Sequence, residues 1–133
     1  MSKFYVASSF KNKETVRYVS QHLKDKGFTH TYDWTQNERA STLENLEKIG
    51  DQERNAVLES DFVIVILPAG KGSHIELGIA LGQGKKIYLY SPDGEVNNCD
   101  TTSTFYHLPE VSKCVGTIKN LLEKITAIEY VFN

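Results

Sequence analysis

Between the apolar run Phe62-Val63-Ile64-Val65-Ile66-Leu67 and a stretch of helical character lies Pro68-Ala69-Gly70-Lys71-Gly72-Ser73, followed by His74-Ile75-Glu76. Two glycines and a serine at such a junction let the backbone approach a ligand closely, and the unbonded N–H groups of a helix's first turn attract an anion. Lys71 adds a mobile positive charge and Ser73 a hydroxyl, so Gly70, Lys71, Gly72 and Ser73 form a candidate phosphate seat. His74 adjoins it, as a ligand contact or as an ordinary surface residue of the first turn. Glu76 is the candidate reactive carboxylate. A carboxylate so placed can stabilise an oxocarbenium-like anomeric carbon or capture it as a covalent ester, which is the chemistry of separating a base from a ribose. The positive helix end is expected to keep Glu76 ionised, as a nucleophile requires. Help for the leaving base, or for an attacking water, calls for a second acid, and Asp51 and Glu53 in the preceding helix are the choices. Ser73-His74-Ile75-Glu76 also reads as an S-x-x-E capping box, in which the glutamate satisfies a free backbone N–H. Local spacing leaves both roles open.

The elements that must position these groups alternate along the chain. Phe4 to Ala7 reads as a buried strand, and Lys13 to Lys26 carries Val16, Val19 and Leu23 at helical spacing before Gly27 ends it. Phe28 to Trp34 is rich in aromatic and β-branched residues and reads as a second strand. Ser41-Thr42-Leu43-Glu44 carries a helix-start signature, and helical pattern continues to about Glu59 with a potential break at Gly50. Phe62 to Leu67 has the composition of a strand buried on both faces and belongs at the sheet centre. A helix from Ser73 to Gly82, a strand from Lys86 to Tyr90, a short strand from Ser112 to Val115 and a helix from Thr117 to Ile128 complete the order. This alternation predicts an α/β fold of the open Rossmann-like or flavodoxin-like kind, a mostly parallel five-stranded sheet with helices on both faces. Ligands of such sheets sit beyond the carboxyl ends of the strands where strand order reverses, which points to the loops Ser8 to Asn12, Trp34 to Ala40 and Pro68 to Ser73. Trp34, at a strand end, can stack on a base or simply pack in the core. The segment Ser91 to Tyr106 is the one long connection, expected to be a mobile lid or a subunit contact.

Bulk properties narrow the partners. A chain of 133 residues is expected to form a single domain spanning residues 1–133. Lysine and arginine total 15 against 17 acidic residues, so no positive field exists to hold a nucleic-acid polymer or an anionic membrane. The longest apolar run is far below the roughly 20 residues of a membrane-spanning helix. The first residues enter a strand without the regions of a secretory signal, so a cytoplasmic location is expected. Cys99 and Cys114 lack metal-ligand spacing and read as ordinary thiols; neither a metal nor another cofactor is implied by the 4 histidines.

Three segments resemble the nucleoside 2-deoxyribosyltransferase superfamily, including its deoxynucleoside-monophosphate N-hydrolase branch. Lys3-Phe4-Tyr5-Val6-Ala7-Ser8-Ser9-Phe10-Lys11 is similar to its first strand and substrate loop, and Ser60 to Leu67 to its central strand. Gly70-Lys71-Gly72-Ser73-His74-Ile75-Glu76-Leu77-Gly78-Ile79-Ala80-Leu81-Gly82-Gln83-Gly84-Lys85-Lys86 is similar to its catalytic helix and the following Gly-Lys. The resemblance implies Glu76 as nucleophile, Tyr5 as a hydroxyl near the sugar, and Ser8, Ser9 and Lys11 in the substrate loop, with Ser9 and Lys11 matching phosphate contacts of the hydrolase branch. For the second acid, Glu53 matches by distance from the central strand and Asp51 by side-chain type. The family's transferases often carry an aspartate before the catalytic helix; here Lys71 and Ser73 stand in that loop and suit a phosphate better than a sugar hydroxyl. The implied partner is therefore a small nucleoside or nucleotide, with a homo-oligomer, a homodimer by default, expected by analogy. Pro68 to Glu76 also resembles the P-G-G-x-G-T-x-x-E motif of phosphoribohydrolases that release cytokinin bases, over this loop alone. Two other readings stay open: a TIR-like enzyme cleaving NAD, and a nucleotide-sensing module without turnover.

Overall fold

A computed structural model of the protein describes residues 2–131, the last of these through its backbone only. Five strands form one sheet in the order β2-β1-β3-β4-β5: β1 (Lys3–Ser8), β2 (Thr29–His30), β3 (Phe62–Ile66), β4 (Lys86–Ser91) and β5 (Val111–Val115). Every neighbouring pair is parallel, with Tyr5 opposite Val63 and Ile66 opposite Tyr90. All five residues of β3 are buried, as expected of a β-branched and apolar run covered on both faces. Helices α1 (Lys13–Asp25) and α4 (Ile118–Val131) pack together on one face, α2 (Leu43–Glu59) and α3 (Lys71–Gly82) on the other. Val16, Val19 and Leu23 of α1 and Leu121, Leu122 and Ile125 of α4 are the buried stripes that hold the first pair to the sheet. Strand order reverses between β1 and β3, so the loops leaving these two strands flank the crevice where such sheets bind ligands.

Several boundaries differ from the sequence reading. The second strand is only two residues long: after His30 the Asp33 carboxylate accepts hydrogen bonds from the Thr35 N–H at 3.0 Å and its hydroxyl at 2.5 Å, winding Trp34–Gln36 into a 3₁₀ turn. The aromatic richness of Phe28 to Trp34 reflected burial, not strand pairing. Helix α2 runs unbroken through Gly50, and its N-cap is Thr42, whose hydroxyl accepts from the Asn45 N–H at 3.0 Å, one residue beyond Ser41. Helix α3 begins earlier than expected, with Gly70 as N-cap. It ends before Gly84, whose φ of +68° suits a residue without a Cβ. The long connection after β4 packs against the body through two 3₁₀ turns, Gly94–Asn97 and Thr104–His107, each burying one apolar residue, Val96 and Tyr106. Cys99 is exposed and Cys114 half-buried, and the two form no disulfide. No helix among the described residues is long and apolar enough to cross a membrane.

Candidate active site

Alternation along β1 sends Tyr5 towards the α2–α3 layer, where it is fully buried against both helices. Its hydroxyl donates to Glu76 Oε2 at 2.7 Å and lies 3.4 Å from Glu53 Oε2. Side chains 71 and 48 residues further along the chain thus converge on the Tyr5 phenol. Glu76 lies in the second turn of α3, beyond the first-turn donors that a capping glutamate would serve, and the cap is supplied otherwise. The Ser73 hydroxyl accepts from the Gly70 N–H at 2.7 Å and donates to the Gly70 carbonyl at 3.1 Å. The capping-box reading of Glu76 therefore fails: Ser73 occupies the position that glutamate holds in such a box.

The expected ionisation of Glu76 is also reversed. Burial pushes its pKa up to about 8; the Tyr5 hydroxyl opposes this by bonding the anion, and the neighbouring Glu53 carboxylate raises it further. The helix end does not decide the matter because its field acts mainly within the first turn. Burial and the two carboxylates drive the Tyr5 pKa upward as well, so this phenol remains a donor.

A cleft of about 250 Å³ opens over Glu76. Of the residues singled out in the sequence, Ser8, Ser9, Trp34, Glu53, Gly70, Gly72, Ser73 and Glu76 line it. Phe10, half-exposed with its ring 6.0 Å from that of Trp34, joins them; the sequence placed it in the loop after the first strand but did not single it out as a contact. An apolar depression of about 430 Å³ shares Phe10, Trp34 and Glu53 with the cleft and extends it past Leu46 and Ile49 to Asn37, Glu38 and Arg39. The combined groove is polar over α3 and apolar over the start of α2.

Other candidates stand differently. Asp51 lies on the outer side of α2, its carboxylate 2.5 Å from Arg54, and faces a separate surface depression. It does not join Glu76. Trp34 is buried, with Nε1 donating to the Val6 carbonyl at 2.6 Å, so the indole braces β1 while presenting part of its surface to the groove. Ser8 donates to the Ile66 carbonyl at 2.8 Å and accepts from Asn12 at 3.0 Å; the same Asn12 amide reaches the Pro68 carbonyl at 2.9 Å, tying the two crevice loops together. Asn12 was not foreseen, because only the fold brings these loops into contact. Lys11 and Lys71 are exposed beside lining residues. His74 does not line the cleft: both ring nitrogens are engaged elsewhere, with the Gly70 carbonyl at 2.8 Å and the Tyr106 hydroxyl at 2.6 Å. Among the described residues no group of three or more His, Cys, Asp or Glu could hold a metal ion.

The sequence profile described as Nucleoside 2-deoxyribosyltransferase matches residues 4–118. Among solved structures, the chain is similar to the CMP N-glycosidase BcmB of Clostridium botulinum, with a TM-score of 0.60 and 21% identity over 92% of this chain and 97% of that one. It is also similar to a conserved protein from Enterococcus faecalis V583, with a TM-score of 0.67 and 16% identity over 96% of this chain and 98% of that one. At these identities the likeness establishes the fold. No curated protein sequence matches the chain.

Proposed function

The chain belongs to the nucleoside 2-deoxyribosyltransferase family, and from that membership we propose that it cleaves the N-glycosidic bond of a nucleoside monophosphate with Glu76 as the nucleophile. The observation that carries this reading is the Glu76–Tyr5 hydrogen bond of 2.7 Å, with Glu53 beside it, at the floor of a cleft walled by the start of α3. In this reading the ionised Glu76 carboxylate attacks the anomeric carbon, the C–N bond breaks, and its electron pair leaves with the base, which takes a proton from water. Water then attacks the resulting glycosyl ester with Glu53 as base, freeing the sugar phosphate and Glu76; a second base in place of water makes the reaction a transfer.

Substrate orientation follows from the groove's two ends. The N–H groups opening α3 precede its intrahelical bonds and face the polar end, where Gly70, Gly72, Ser73 and Ser9 lie and Lys11 and Lys71 stand nearby. This end suits a phosphate. The apolar end, with Phe10, Trp34, Leu46 and Ile49, suits a base. The similarity to a CMP N-glycosidase supports the phosphorylated substrate.

The test is release of free base, followed by chromatography, from ribo- and deoxyribonucleoside monophosphates, the matching nucleosides and NAD. Base release from at least one monophosphate, faster than from its nucleoside, is the expected result. A preference for the nucleoside contradicts the phosphate seat, nicotinamide release favours the NAD-cleaving reading, and binding without base release contradicts catalysis. We further propose a homo-oligomer, because Leu43, Leu46 and Ile75 are all more than half exposed on the α2–α3 layer. Light scattering coupled to gel filtration tests this, and a monomer at micromolar concentration refutes it.

A further inference from the structure

We propose that His74 and Tyr106 are positioning residues: together they form a strut from the segment after β4 to the Gly70 carbonyl, and this strut aims the first N–H groups of α3 at the substrate's phosphate. The proposal rests on the phosphate reading given above.

The direction of the strut follows from hydrogen-bond chemistry. A carbonyl oxygen can only accept, so His74 Nδ1, 2.8 Å from Gly70 O, carries the proton. In the neutral ring Nε2 is then an acceptor, and the Tyr106 hydroxyl 2.6 Å away donates to it. The two rings lie nearly parallel, 5.9 Å between centroids. Tyr106 is buried in its own 3₁₀ turn, which gives the strut a fixed base.

Gly70 is where such support is needed. As a glycine N-cap it has no side chain to restrict its backbone, and its φ of −108° and ψ of −167° are set from outside. Its carbonyl receives the His74 N–H at 3.1 Å, the Ser73 hydroxyl at 3.1 Å and the imidazole. Because a trans peptide is planar, holding this carbonyl along the helix turns the Lys71 N–H the opposite way, out of the helix end towards the phosphate seat. Neither His74 nor Tyr106 lines the cleft over Glu76; both face a depression on the far side of the Pro68–Ala69 loop. Their influence on substrate therefore passes through Gly70.

Tyr106→Phe keeps the buried ring and removes the donor, His74→Ala removes the strut, and His74→Asn keeps a short donor able to reach Gly70. Calorimetric titration with ribose 5-phosphate and with ribose reads the seat without requiring turnover. We expect Tyr106→Phe and His74→Ala to weaken ribose 5-phosphate about five-fold with ribose unaffected, and His74→Asn to recover part of the loss. With a monophosphate substrate the same variants raise KM and leave kcat unchanged. Nitrogen-15 spectra of the wild-type imidazole should show Nδ1 protonated and Nε2 bare. A wild-type protein that does not distinguish the two sugars removes the phosphate reading and the strut with it. A wild type that distinguishes them alongside unchanged, folded variants removes the strut alone, as does an Nε2-protonated ring.

Discussion

Replacing Glu76 by glutamine separates its charge from its shape. The amide oxygen can still accept from Tyr5, and the amide nitrogen can donate to Glu53, so the packing around the 2.7 Å contact is retained. What disappears is a buried group whose pKa is raised from 4.5 to about 8. Between these values the folded protein holds a proton that the unfolded chain has released, so wild-type stability falls as pH rises through that window and levels off above it. At roughly 1.4 kcal/mol per pKa unit the full difference is about 5 kcal/mol, an upper bound; with water reaching the carboxylate through the cleft, a net effect of about 2 kcal/mol is expected. Urea denaturation at pH 5 and pH 9 measures it. The two proteins should differ by no more than about 0.5 kcal/mol at pH 5, near the foot of the window, and Glu76→Gln should be the more stable by about 2 kcal/mol at pH 9, while base release falls at least about a thousand-fold. A stability difference independent of pH, or a wild type that gains on the variant at pH 9, refutes the argument that burial holds a proton on Glu76. A variant that still releases base removes Glu76 as nucleophile.

Catalysis by ionised Glu76 makes kcat/KM of the wild type rise with pH up to about 8. Because the Glu53 charge contributes to that raised value, Glu53→Gln should move the rise to lower pH while cutting the limiting rate about a hundred-fold; an unmoved rise contradicts the coupling. Asp51→Asn should leave kcat/KM within about two-fold and stability within about 0.5 kcal/mol, since its carboxylate is half-exposed and paired with Arg54 away from the cleft. A large loss of activity would restore Asp51 as the second acid. Trp34→Phe should cost about 1–3 kcal/mol in urea denaturation with an unchanged m-value, because the buried Val6 carbonyl loses its 2.6 Å donor. No loss of stability contradicts the bracing role.

What the sequence by itself determined is local in origin. The all-round apolar run Phe62 to Leu67 announced a central strand, the spacing of Val16, Val19 and Leu23 announced a helix, and the glycines after Leu67 marked a loop that meets a ligand backbone-first. Their alternation was enough for the parallel sheet and for the three loops at its ligand-binding edge, while the strand order that puts the crevice between β1 and β3 came from the tertiary structure. Only the tertiary structure showed which of Glu53 and Asp51 faces Tyr5: residues two positions apart on a helix are about 200° apart, so one faces Tyr5 when the other faces solvent, and which does so depends on how α2 lies against the sheet. The same holds for Trp34, turned inward to β1, and for His74, taken up by a tyrosine 32 residues further along the chain. The ionisation of Glu76 was the least accessible from sequence, which placed it at a helix start where the field would favour the anion, whereas the helix begins at Lys71 and leaves Glu76 in the second turn. Desolvation and a second carboxylate, supplied by chain segments far from it in sequence, hold the proton instead.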